Sequence, residues 1–195
     1  MRTIGITGRS GCGKSSVTAL LRAAGHPVID GDELSRQILQ KDSPCMPLLR
    51  AQFGDDIFDE NGELKRRLLA DRAFATPEGT QRLTQITHPE ILRRMVADRR
   101  EAEAAGAELY FIDGAVIIGT PFEKLCQKLV LVTTPREESI RRICARDGIS
   151  PEMAARRLDA QPPQSELEKQ VDHILCNDGT QEDLARKVEA LLSRL

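Results

Sequence analysis

Ile4-Gly5-Ile6-Thr7-Gly8-Arg9-Ser10-Gly11-Cys12-Gly13-Lys14-Ser15-Ser16 is the stretch that decides the fold. An apolar run at 2–7 leads into a turn in which residues 8–15 fit G-x-x-x-x-G-K-[ST] without departure. Residues 14–24 then carry a helical pattern that Gly25 can close. The spacing has a physical logic. Gly11 and Gly13 let the backbone turn so that successive N–H groups, Cys12 and Lys14 included, point inward at an anion. The helix start at Lys14, Ser15 and Ser16 adds its positive end. Lys14 then reaches the β- and γ-phosphates, and the Ser15 hydroxyl is placed to hold Mg²⁺. A Gly-rich strand–helix turn with no ligand is the plain alternative. The position after a strand and before a helix favours nucleotide phosphate binding.

Working outward, short β-like runs alternate with longer helical ones. Strands are expected at 27–30, 109–113, 128–132 and 173–176, and helices at 33–39, 136–146, from 151 on, and from Thr180 to the end. Residues 43–106 have a different texture, with helices expected at 64–74, 78–86 and 89–105 and turns at Gly54 and Asn61-Gly62. The expected fold is α/β: a three-layer sandwich, a parallel sheet with helices on both faces, carrying a P-loop. The core would be 1–42 and 107–195, with a helical insertion at 43–106. Ligands of such sheets bind beyond the carboxyl ends of the strands, where Thr7, Asp30 and Asp113 fall.

Composition narrows the function. The chain has 195 residues, a net charge of −2 and an aromatic share of 3%. It lacks the global basic field and the stacking rings of a nucleic-acid binder. No apolar run is long enough to span a bilayer, and MRTIGITGRS lacks the apolar core of a signal peptide, so a cytoplasmic protein is expected. Five cysteines without CxxC spacing speak against disulfides or zinc and read as buried or semi-buried thiols. A monomer is the expected state, with a homo-oligomer as the alternative.

Several side chains are candidates for chemistry. Asp30-Gly31-Asp32 closes the second strand; Asp32 is placed to take the proton of an acceptor hydroxyl, or else to cap a helix. Arg36, one turn on, could clamp an acceptor phosphate or pair with Asp32. Asp113 resembles a Walker B carboxylate that holds Mg²⁺, or caps a turn. Arg142 and Arg146 lie one turn apart, where charge developing on a γ-phosphoryl would be met. His88 stands before Pro89 at an expected helix start, as a structural residue or a substrate contact. A low-pKa Cys12 would be alkylated quickly and protected by ATP; the alternative is a thiol pointing outward.

Four segments together resemble the bacterial dephospho-coenzyme A kinases. They are the phosphate loop, Asp30-Gly31-Asp32 with Arg36, Thr87-His88-Pro89, and the run from Arg142 through Gln161 and Lys169 to Asn177-Asp178-Gly179. The resemblance covers essentially the whole chain. It implies transfer of the γ-phosphate of ATP to the 3′-hydroxyl of dephospho-coenzyme A. Asp32 would be the base and Arg36 a substrate contact, with His88, Asp113 and Gln161 also on the substrate side. Arg142 and Arg146 would flank a lid at about 148–163, and Asn177 and Gly179 would lie against the adenine. The insertion would hold coenzyme A. Two departures stand out. Gly31 replaces the usual Ala, and Ala115-Val116-Ile117-Ile118-Gly119 replaces P-L-L-F-E, so a carboxylate is missing at 119. Another small P-loop kinase and a non-catalytic ATP-binding module are the competing readings. A GTPase is disfavoured, since no N-K-x-D segment is present.

Overall fold

The computed structural model describes residues 1–195. The chain forms two compact units: Met1–Asp30 with Glu101–Leu195, and Gly31–Arg100.

The first unit is built on β1 (Arg2–Gly8), β2 (Val28–Asp30), β3 (Leu109–Asp113), β4 (Lys128–Thr133) and β5 (His173–Cys176). They make one sheet in the order β2-β3-β1-β4-β5, with every pairing parallel. Asp30 pairs with Asp113, so β2 and β3 finish level, while Ile6 pairs with Asp113 from the other side and β1 runs on two residues to Gly8. Alternation along the strands divides the sheet's faces. Ile4, Ile6, Leu109, Phe111, Val130, Val132 and Leu175 share one cluster with Val17 and Leu21 of α1 (Lys14–Ala23) and with Leu184, Val188 and Leu191 of α9 (Gln181–Leu192). Gly5 belongs to the other alternation, where a Cβ would lie 2.7 Å from the Leu129 side chain and 2.9 Å from Cys126 Sγ. A side chain at position 5 would have to push these two side-chain ends aside. α1 closes as the sequence predicts: Gly25 (φ 85°) donates to Arg22 O and His26 to Leu21 O, a Schellman ending.

The remaining helices of this unit are α6 (Arg136–Asp147), α7 (Pro151–Asp159) and α8 (Gln164–Leu167). Ile143, Ala154 and Leu158 join α6 to α7 in a small apolar cluster.

The second unit holds α2 (Gly31–Gln37), α3 (Cys45–Phe53), α4 (Arg66–Ala73) and most of α5 (Pro77–Ala104). It begins earlier than the insertion read from the sequence, because α2 is tied to it: Arg66 donates to the Arg36 carbonyl at 3.1 Å, and Lys41 to the Asn61 carbonyl at 2.8 Å. Two readings are corrected. The helices expected at 78–86 and 89–105 are one helix that runs through Pro89. Its neighbours keep both flanking turns bonded: Thr87 Oγ1 donates to Leu83 O at 2.8 Å, and buried Glu90 accepts from Arg93 and Arg94, each at 2.7 Å. The second correction is α3, which the sequence reading does not contain. Pro44 and Pro47 mark its start rather than a break, since the first turn needs no N–H donors.

Candidate active site

β1 ends at Gly8 and α1 begins at Lys14, so the signature forms the turn between them. Gly11 (φ 78°) and Gly13 (φ 84°) are both left-handed. A Cβ on Gly11 would lie 2.5 Å from the Ser139 carbonyl of α6, and one on Gly13 would lie 2.0 Å from Asn177 Nδ2. The loop is therefore threaded between α6 and the residue after β5. Its Cys12 carbonyl accepts from Asn177 Nδ2 at 2.9 Å and from Arg142 at 3.3 Å. In a trans peptide the next N–H points the opposite way, so these donors aim the Gly13 N–H away from themselves. That is how outside groups can hold an anion cradle open.

Each brace is itself held. Arg142 Nε donates to Glu138 at 2.7 Å, one turn back on α6. The carboxyl of Glu138 is kept at about 2, first by Arg141 and then by Arg142. The Asn177 carbonyl accepts from Thr134 Oγ1 at 2.7 Å. Gln161 joins the same region, its Oε1 accepting from the Ser10 N–H at 2.9 Å.

The charged pair at the strand ends is Lys14 Nζ with Asp113 Oδ1. Asp113 is only 4% exposed, so its charge requires this partner. Ser15 and Ser16 lie in the first turn of α1, Ser15 exposed. No group of three or more His, Cys, Asp and Glu is arranged to hold a metal. The oxygens on offer to a divalent cation are the Ser15 hydroxyl and the Asp113 carboxylate, hard donors that suit Mg²⁺ completed by phosphate and water.

Cys12 bears out the reading of the cysteines as buried or semi-buried thiols and departs from the two more particular expectations for it. Its side chain is 3% exposed and belongs to the sheet's apolar cluster. Burial pushes the thiol above its ordinary value of 9.0, against the lowering effect of Lys14. It is neither outward-pointing nor activated.

Arg146 pairs with Asp147 at 2.7 Å, and Asp147 also accepts from Arg157 of α7. Arg136 and Asp159 make a second α6–α7 pair at 2.8 Å. Gly179 lies in the turn before α9, where a Cβ would meet Asp183 Oδ2 at 2.7 Å. Asp183 and Thr180 form the capping box of that helix. Past β3, Gly119 N–H donates to Glu123 Oε2 at 2.7 Å, so a carboxylate from four residues on reaches the position that lacks its own.

Asp32, Arg36 and His88 belong to the second unit. Asp32 is exposed in the first turn of α2, two residues beyond the end of β2 along the chain. Arg36 donates to Glu33 at 2.7 Å. His88 lies inside α5 rather than at a helix start, and burial lowers its pKa from 6.5, which favours the neutral ring. Within the first unit, the signature residues, Asp113, Arg142, Asn177 and Gln161 converge. Arg9, Glu138 and Asp147 were not foreseen. The Glu138/Arg142 spacing of four was a visible signal. The contact of Arg9 spans 149 positions and left no local trace.

Residues 2–183 match the family model described as dephospho-CoA kinase. The chain is 36% identical to a dephospho-CoA kinase of Anaeromyxobacter dehalogenans over 195 residues, covering 100% of this chain and 92% of that one. It is 33% identical to the enzyme of Corynebacterium efficiens, covering 100% and 98%. Among solved structures, TT1252 from Thermus thermophilus superposes with a TM-score of 0.83 at 36% identity, covering 100% and 97%. A shikimate kinase from Acinetobacter baumannii, at 20% identity and a TM-score of 0.53 over 100% and 94%, shares the fold. With a matching model over nearly its whole length and relatives above 30% identity across it, the chain belongs to the dephospho-CoA kinase family.

Proposed function

We propose that this protein transfers the γ-phosphoryl group of ATP to the 3′-hydroxyl of the ribose of dephospho-coenzyme A, giving coenzyme A and ADP. The observation that supports it most is the phosphate loop of a dephospho-CoA kinase family chain, braced at the Cys12 carbonyl, with Lys14 set against the buried Asp113.

Binding begins with an exchange of partners. The N–H groups of Gly11, Gly13, Lys14 and Ser15 take the phosphates, those of Cys12 and Ser16 being bonded in the free loop to the Arg9 and Gly13 carbonyls, and the Lys14 ammonium leaves Asp113 to meet the β- and γ-phosphates. Asp113 then needs a new cation. With the Ser15 hydroxyl it would hold Mg²⁺, which neutralises phosphate charge when bound. Arg142, held by Glu138 and bonded to the Cys12 carbonyl in the free loop, would have to leave that carbonyl to meet charge developing on the transferred group. In the transfer itself the 3′-oxygen forms a bond to the γ-phosphorus, the bond to ADP breaks, and the hydroxyl proton passes to the Asp32 carboxylate. Arg36 and His88 would contact the acceptor, and the unit holding them would be the coenzyme A domain. Arg146, Asn177 and Gly179 would line the nucleotide's base and lid side. The segment at about 148–163 would close over the site and exclude water as a competing acceptor. No helix is long and apolar enough to cross a membrane. Action in the cytoplasm, as a monomer and without nucleic acid, is part of the same proposal.

The test is ADP release from Mg-ATP with and without dephospho-coenzyme A, in wild type and Asp32→Asn. Acceptor-dependent turnover that drops roughly 10²–10⁴-fold in kcat in the variant supports both the reaction and the base. Nucleotide binding without turnover on this acceptor refutes the assignment and favours another acceptor or a non-catalytic module.

A further inference from the structure

The phosphate loop is bonded to α7 by residues that the signature leaves unspecified. Arg9, one residue past β1, donates through its guanidinium to the Leu158 carbonyl in the last turn of α7. The next N–H, that of Ser10, donates to Gln161 Oε1 at 2.9 Å. A cation at Leu158 meets the negative end of the helix, where carbonyls lack intrahelical donors. The guanidinium is also enclosed. Arg9 Nε is buried and makes no hydrogen bond to protein. Arg9 lines a cavity of about 30 Å³ with Cys12, Thr134, Ser139, Leu158 and Gln164, room for about one water. The other end of α7 is differently held. Ser150 caps its own helix through the Met153 N–H at 3.3 Å, whereas Arg157 and Asp159, in the same last turn as Leu158, pair with Asp147 and Arg136 of α6.

We propose that Arg9 is a positioning residue that latches the C-terminal end of α7 to the phosphate loop, so that the loop itself sets where the lid pivots. The proposal rests on reading 148–163 as a closing lid. The pinned end lies at Leu158 to Gln161, and the Ser150 end carries the larger movement. A helix released from this pivot closes loosely and admits water to the γ-phosphoryl group.

The test compares Arg9→Ala and Arg9→Lys with wild type by two readouts. The first is amide hydrogen exchange with no nucleotide added. The second is the share of ATP hydrolysed rather than transferred in the presence of dephospho-coenzyme A. Arg9→Ala is expected to speed exchange at Ala160 and Gln161 by about tenfold or more, the worth of one charge-assisted hydrogen bond. It also raises the hydrolysed share, and Arg9→Lys, which keeps a cation and a donor, recovers part of both. Should Arg9→Ala not fold, Arg9→Gln carries the same comparison. Native exchange rates in the variant overturn the latch. Faster exchange with an unchanged hydrolysed share overturns its link to the lid. Absence of transfer in wild type refutes the reaction instead, and the exchange readout still decides the latch.

Discussion

Lys14 lies against Asp113, and a buried carboxylate without its cation is costly. Lys14→Ala should therefore do two separable things. It should nearly abolish phosphoryl transfer, and it should lower the melting temperature because Asp113 is left charged and enclosed. Adding Asp113→Asn to Lys14→Ala should restore much of the melting temperature and none of the activity. A double variant that melts no higher than the single one would show that the ion pair is not the origin of the loss. Cys12 supports a second expectation. With its thiol buried and its pKa raised, alkylation should be slow and its rate should not respond to ATP. Rapid labelling that nucleotide blocks would mean that the side chain reaches the phosphate side of the loop.

At the scale of elements, α5 carries a proline in its interior. Pro89 has no N–H for the carbonyl one turn back, and its ring crowds that carbonyl. Pro89→Ala restores the bond and should raise stability by up to about 3 kcal/mol in chemical denaturation. A loss instead would mean that the backbone course set by Pro89 seats Ile91 and Met95, both buried, in their unit. The same helix shows what a sequence can hide. The strands were legible because β-branched runs ended at Gly, Asp and Thr, and the phosphate loop was legible because its glycines and lysine have one geometric use. Pro89 was misread and α3, with Pro44 and Pro47 at its start, was missed, since proline marks a helix start, a break or a tolerated interior position according to packing that no local pattern records. The contacts of Asn177 and Arg9 with the loop were illegible, because each joins positions far apart in the chain.

For the molecule as a whole, acid should be the effective denaturant. Glu90, Glu138 and Asp183 are each held at about 2: Glu90 first by Arg93, Glu138 first by Arg141, and Asp183 first by the backbone N–H of Thr180. Their folded values lie below the unfolded ones, 4.5 for Glu90 and 3.8 for Asp183. The stability they lend is thus complete above those values and is lost as pH falls toward about 2. Melting temperature should be flat from neutrality to about pH 5 and fall below it. Glu90→Gln should flatten that fall, and an unchanged slope would remove Glu90 from the explanation. The strand order has a consequence for how the chain is made. β1 pairs with β3 and β4 and with nothing nearer in sequence. A ribosome adding roughly 5–20 residues per second leaves β1 waiting several seconds, about a hundred residues of synthesis, before either neighbour exists. Through that interval Ile4 and Ile6, fully buried in the finished sheet, are open to water and to other nascent chains. The strand that will aim the phosphate loop is, at birth, the segment most in need of a chaperone's grip.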